Sequence, residues 1–167
     1  IYGPKGVGAA FIKSDAYGIP PITALMHGGE QEHGFRAGTL AVHNIVGFGK
    51  AAEIAIRDFD ANEQRISQLD QRLVDGLSDR ADISLTNPSK KRLPGIISVI
   101  VNKKDFNNER FIKRISDKLA LSTGSACSAG EPSYVLTAMG LEDKVSNVLR
   151  ISLNKYTTES EIDELIK

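Results

Sequence analysis

A single cysteine, Cys127, serves the whole 167-residue chain. No disulfide can close within it, and none is needed: a chain this long can bury roughly two-thirds of its unfolded surface. This cysteine usage points to a reducing, cytoplasmic setting. An excess of one charge is also missing, because 21 Lys and Arg balance 21 Asp and Glu. Direct nucleic-acid binding, which leaves a basic footprint, is not expected. No apolar run approaches the roughly 18 residues of a membrane span and no signal-peptide pattern is present, so no membrane partner is expected. There are no internal repeats and no low-complexity tract. An initial methionine is lacking too: the chain opens Ile1-Tyr2-Gly3-Pro4 and stops inside a helical run, Glu161 to Lys167, which reads as a piece of something longer.

What is present reads as an α/β chain with a compositional change near its first third. Val7 to Ile12 is short and apolar after glycines and a proline, the pattern of a buried strand entered through a turn. Met26 to Thr39 is rich in glycine and charge with no period. Leu40 to Phe59 carries alanines and isoleucines with few breakers, as a largely buried helix does. Composition turns polar from Asp58 to Glu63, the candidate domain boundary. Ile66, Leu69, Leu73 and Leu77 then mark one face of a helix. Ile83–Leu85 and Ile96–Val101 are strand candidates, the second after the turn signal Pro94-Gly95. Phe111, Ile112, Ile115 and Leu119 mark a second amphipathic helix, and Val148–Leu153 alternates as a strand. Helical pattern resumes at Ser133, and Thr158 with Glu161 forms a capping box ahead of a last helix. The second part thus reads α-β-β-α-loop-α-β-α, a small α+β domain.

Four places could carry chemistry. Cys127 lies in Ser122-Thr123-Gly124-Ser125-Ala126-Cys127-Ser128-Ala129-Gly130, where every neighbour is small. This gives a thiol access and freedom to travel, although an inert cysteine in a surface loop fits as well. Arg150 sits between apolar neighbours on a strand, which is costly unless its guanidinium is paired. A ligand carboxylate could pair it in two parallel bonds, and so could an acid of this chain. Thr39 precedes a helix and could offer its hydroxyl to an anion such as phosphate, or cap the helix. His27 and His33 have no further ligand set beside them and read as solvated, so no metal is expected. Tyr2 to Gly8 lacks the spacing of a phosphate loop, and Lys5 reads as solvated.

Five stretches, taken in order, resemble the cysteine desulfurases of the NifS/IscS type, pyridoxal-phosphate enzymes of fold type I within class V of the aminotransferases. They are Ile1-Tyr2-Gly3-Pro4-Lys5-Gly6; His27 to Val46 around Arg36-Ala37-Gly38-Thr39-Leu40; Arg92-Leu93-Pro94-Gly95; Ser122 to Cys127 with Glu131-Pro132-Ser133-Tyr134-Val135-Leu136; and Leu149-Arg150-Ile151-Ser152-Leu153 with Thr157-Thr158-Glu159. The resemblance implies that residues 1–58 are the remainder of a cofactor-binding large domain and residues 59–167 a small α+β domain carrying the cysteine loop. It implies that Cys127 is the nucleophile that takes sulfur from L-cysteine, leaving L-alanine, and carries it as a persulfide. Arg150 would bind the substrate carboxylate. Thr39 would reach the phosphate of pyridoxal phosphate in the partner subunit of a homodimer. The persulfide would pass to a sulfur-acceptor protein such as an iron–sulfur scaffold, or into another sulfur-modification pathway.

The departures are as informative. The family's cofactor-bound lysine stands immediately before the Tyr-Gly-Pro-Lys-Gly motif, and Lys5 matches that motif's other lysine. This segment alone is therefore expected to be inactive. Only Ser128-Ala129-Gly130 separate Cys127 from Glu131, about two residues fewer than in housekeeping members. At roughly 3.3 Å per extended residue this shortens the reach of the thiol and implies a restricted set of acceptors. Asn154 stands where the family often has glycine. Two other readings remain: a selenocysteine lyase-like enzyme, and a non-catalytic dimerisation or docking module.

Overall fold

A computed structural model describes residues 1–18, 22–89, 91–124 and 133–167. They form two compact units, Ile1–Phe59 and Asp60–Lys167.

The first unit is built on helix α1 (Val42–Arg57). Tyr2-Gly3-Pro4 lies along it where α1 offers small residues. A Cβ on Gly3 would stand 3.2 Å from that of Ala51, and one on Gly47 would meet Pro4 Cγ at 2.6 Å. Asn44 Nδ2 donates to Lys5 O at 3.4 Å. The strand expected over Val7–Ile12 does not form, and Phe11 is 95% exposed. A strand must exchange backbone hydrogen bonds with a neighbour, and the described residues of this unit contain no other strand. The helix expected over Leu40–Phe59 is present but is not a buried one. Ala51 is its buried residue, while Val42, Val46 and Ile56 are exposed. An apolar helix face is buried only where a second layer covers it.

The second unit is an antiparallel three-stranded sheet with helices on it. α2 (Phe59–Ser78) leads to β1 (Ile83–Leu85) and β2 (Ile96–Val101). Then come α3 (Asn108–Ile115), α4 (Tyr134–Ala138), β3 (Val148–Ser152) and α5 (Glu159–Ile166). Strand order is β1-β2-β3. The period-two alternation gives the sheet two different faces. On one face Ile97, Val99, Val101, Leu149 and Ile151 pack with Leu69, Leu73 and Leu77 of α2 and Ile162 of α5. On the other, Leu136 of α4 covers Ile100 and Val148, and among the described residues the part of that face around Ser98 and Arg150 lines a cleft.

Helix α3 stops at Ile115, short of the Leu119 expected from its apolar spacing. Beyond it the Ser116 hydroxyl turns back to Lys113 O at 3.1 Å, and Lys118 and Leu119 both donate their N–H to Ile115 O at 2.9 Å, so the chain continues as turns.

The Arg92-Leu93-Pro94-Gly95 stretch is a clasp. Asp70, buried on α2, takes both guanidinium nitrogens of Arg92, with Nη1 at 2.7 Å from Oδ1 and Nη2 on Oδ2. The same Oδ1 accepts the Gly95 N–H at 2.8 Å. Gly95 has φ +86, and a Cβ there would lie 2.7 Å from Ile66 Cγ2, so this turn requires glycine. The carboxylate holds the Arg92 guanidinium charged, raising its pKa above the ordinary value.

Helix α5 is fixed electrostatically at its start. The Thr158 N–H donates to Glu161 Oε2 at 2.7 Å and Glu161 N–H donates back to Thr158 Oγ1 at 3.3 Å, the expected capping box. Arg72 of α2 binds Asp163 through Nε at 2.8 Å and Nη2 at 2.9 Å. The Thr158 backbone N–H, aided by its hydroxyl, holds the Glu161 carboxyl below its usual range. The Arg72 hydrogen bonds do the same for Asp163. A carboxyl with a lowered folded pKa stabilises the fold above its unfolded pKa, about 4, and that contribution is lost as pH falls through the folded value. The denaturation midpoint is therefore expected to fall as pH drops below about 5. The slope should flatten in the Glu161→Gln, Asp163→Asn double variant. Urea titrations across that range check it, and an unchanged slope in the double variant would count against it.

Candidate active site

The open part of the second sheet face forms the floor of a cleft of about 1300 Å³ within the second unit. Arg150 of β3 stands on this floor, directly opposite Ser98 of β2. On its other side Arg150 pairs with Ser122, which donates its N–H to Arg150 O at 3.1 Å and accepts the Arg150 N–H at 2.7 Å. Beyond Ser98, Thr86 donates its N–H to Ser98 O at 3.0 Å and its hydroxyl to the same oxygen at 3.2 Å. Directly opposed residues share a face, so one row, Thr86–Ser98–Arg150–Ser122, crosses the sheet. All four line the cleft.

Sequence alternation placed Arg150 on the face opposite Leu149 and Ile151, and the structure agrees. The alternative partner for its guanidinium, an acid of this chain, is not found among the described residues. Among the described residues its buried Nε has no hydrogen-bond partner and no ion pair involves it. A half-buried cation without a partner is costly, and a ligand carboxylate is the group that relieves the cost in two parallel bonds.

Thr39 belongs to the first unit and is exposed. It does not cap α1: the N-cap is Ala41, which offers no side-chain bond. The loop before it is tied by its own contacts. Gln31 Oε1 accepts the Gly38 N–H at 3.0 Å, and Arg36 Nη1 donates to Ala37 O at 3.0 Å and Gly38 O at 3.3 Å. These bonds fix the backbone up to Gly38 and leave the Thr39 hydroxyl uncommitted among the described residues. His27 and His33 are exposed, and no group of three or more His, Cys, Asp or Glu among the described residues could hold a metal.

Cys127 lies outside the described residues, as do Glu131 and Pro132. The segment that runs into it, Ser122 to Gly124, is described and begins at the Arg150 pairing. Sequence reasoning gave no role to Ser98 or Thr86, and named Ser122 only as the start of the run that holds Cys127. The only signal was Ser98 itself, a hydroxyl interrupting Ile96-Ile97-Ser98-Val99-Ile100-Val101; its neighbours across the sheet depend on register, which no local pattern gives.

The chain is similar to the cysteine desulfurase IscS of Enterobacter sp. (strain 638), at 42% identity over 170 residues; the match takes in all of this chain and 41% of that protein. Among solved structures it is similar to a NifS-like protein from Rickettsia africae ESF-5, with TM-score 0.75 and 26% identity over 87% of this chain and 38% of that one. A second NifS-like protein matches with TM-score 0.75 and 31% identity, over 90% of this chain and 38% of that one. The fold is thus the α/β fold of the NifS-like structures, and the chain spans about two-fifths of the length of these relatives. The family model for class-V aminotransferases matches residues 1–165, and the chain belongs to the aminotransferase class-V family.

Proposed function

We propose that the full-length protein is a pyridoxal-phosphate-dependent cysteine desulfurase, which takes sulfur from L-cysteine, leaves L-alanine and carries the sulfur as a persulfide on Cys127. The observation that carries the reading is Arg150: a guanidinium in a cleft, its Nε buried without a partner, paired through its backbone to the segment that leads into Cys127. Residues 1–58 are assigned to the cofactor-binding large domain and residues 59–167 to the small domain.

The residues present fit the substrate and one end of the cofactor. Arg150 can hold the α-carboxylate of an amino acid. The uncommitted Thr39 hydroxyl can donate to the cofactor phosphate, across the interface of a homodimer. Pyridoxal phosphate, when bound, supplies an electron sink that weakens bonds at the carbons of the substrate. Cys127 reacts as its thiolate on the substrate's sulfur. An S–S bond forms, the C–S bond breaks with its electron pair leaving on carbon, and a proton taken up there completes alanine. The short Ser128-Ala129-Gly130 connection favours a restricted set of acceptors, an iron–sulfur scaffold among them, in the cytoplasm.

Sulfide release from L-cysteine by the full-length protein, in the presence of a thiol reductant, tests this. Cys127→Ala is expected to lower it by about two orders of magnitude or more while activity toward selenocysteine survives. Residues 1–167 alone carry no match to the family's cofactor-bound lysine and are expected to release none. Wild-type sulfide release by the Cys127 variant would overturn the assignment. A full-length protein that acts on selenocysteine and not on cysteine would favour the lyase reading.

A further inference from the structure

We propose that Ser98 and Ser122 are positioning residues that supply the acceptor for Arg150 Nε when a carboxylate is bound, and so aim the guanidinium at it. The inference rests on the assignment of Arg150 to the substrate carboxylate.

Three observations carry it. First, both serines stand in the same cross-sheet row as Arg150, one on each side, and both line the cleft. Directly opposed residues have Cβ atoms about 5 Å apart, so each hydroxyl lies beside the stem of the arginine rather than beyond its tip. Second, the backbone carbonyls at this register are already engaged. Ser98 O takes both Thr86 donors, Ser122 O takes the Arg150 N–H, and Arg150 O takes the Ser122 N–H. Third, neither serine hydroxyl bonds to a described residue, and Nε has no partner either. A buried N–H without an acceptor beside two hydroxyls without partners is an unfinished arrangement, because buried polar groups are ordinarily paired.

The role requires one serine to turn about χ1 so that its oxygen accepts from Nε, a change between staggered rotamers. The bond has most to gain when the two Nη atoms are engaged by a carboxylate, because ordering the long side chain is then already accomplished. The hydroxyl proton stays free to point into the cleft. The serines therefore act through the arginine: they bias it toward the rotamer that binds, and they contribute only when the ligand bears a carboxylate.

The experiment compares the full-length, cofactor-loaded enzyme with Ser98→Ala, Ser122→Ala and the double variant. Two quantities are read: the KM against kcat split for L-cysteine, and calorimetric affinity for L-alanine against L-alaninamide. A hydrogen bond to a charged group gives about a tenfold effect when removed. The double variant is expected to raise KM about tenfold with kcat within about twofold, and to weaken alanine about tenfold while leaving alaninamide unchanged. Ser→Thr, which keeps the hydroxyl, is expected to bind as wild type. Should an alanine variant not fold, the Thr against Val pair at the same position reads the same difference. In an Arg150→Met background the serine changes are expected to add nothing.

Wild-type KM in the double variant, or equal weakening of alanine and alaninamide, overturns the role of the serines and leaves Arg150 in place. Arg150→Met that still prefers alanine over alaninamide as wild type does overturns the underlying carboxylate assignment instead.

Discussion

Replacing Asp70 with alanine is expected to cost about 3–5 kcal/mol of stability, read as a lower urea midpoint with an unchanged slope. The reason is what the carboxylate leaves behind. Asp70 is 5% exposed and is the shared acceptor for three donors, the two Arg92 nitrogens and the Gly95 N–H. Its removal leaves a largely buried guanidinium unpaired and a buried amide without an acceptor, each of which costs more than the bond itself contributed. Asp70→Asn keeps an oxygen for Gly95 and loses the charge, so a smaller loss is expected. The discriminating variant is the pair Asp70→Leu with Arg92→Leu. Apolar residues in place of a buried ion pair are often neutral, so the pair should recover most of the single-variant loss. A double variant as unstable as Asp70→Ala would assign the loss to the Gly95 N–H, which both variants leave without an acceptor, rather than to the unpaired guanidinium.

How much of this was legible in the sequence differs by scale. β1 and β2 fall where composition placed them, because β-branched runs bounded by turn residues leave few options. The Thr158–Glu161 capping box is a local signal with a local consequence, and it formed. Leu69, Leu73 and Leu77 could be read as one helix face because helical periodicity is local too. The failures share a cause. Val7–Ile12 has the composition of a strand, but strand formation depends on a neighbour. The apolar α1 has the composition of a core helix, but burial depends on a covering layer. Asp70 sits four residues after Ile66, next to the apolar positions of α2, and no local pattern marks it. Its partner is 22 residues away, and only the fold brings Arg92 to it. Arg150 was conspicuous as a charge on a strand, whereas Ser98 and Ser122 acquire meaning only from the pairing of three segments.

Arg150→Met is expected to separate function from stability. Substrate binding in the full-length enzyme should fall by about two orders of magnitude or more, because two charge-assisted bonds to the carboxylate are lost, each worth about 1.5–3 kcal/mol. The fold should not suffer for it. Among the described residues, Nε is buried and unpaired and the guanidinium has no ion-pair partner. Methionine keeps the unbranched stem, fills comparable volume and removes the buried polar atom. The denaturation midpoint should therefore hold or rise, by up to about 1–2 kcal/mol in stability. An arginine kept for structure behaves the other way, since removing one partner of an internal pair destabilises, as expected for Asp70. The two substitutions thus form a contrast within one unit. At Asp70 a charge is removed from a completed cluster, and stability falls. At Arg150 a charge is removed from an uncompleted one, and binding falls instead. A lowered midpoint in Arg150→Met together with unchanged KM would place Arg150 among the structural residues and remove the observation on which the proposed function rests.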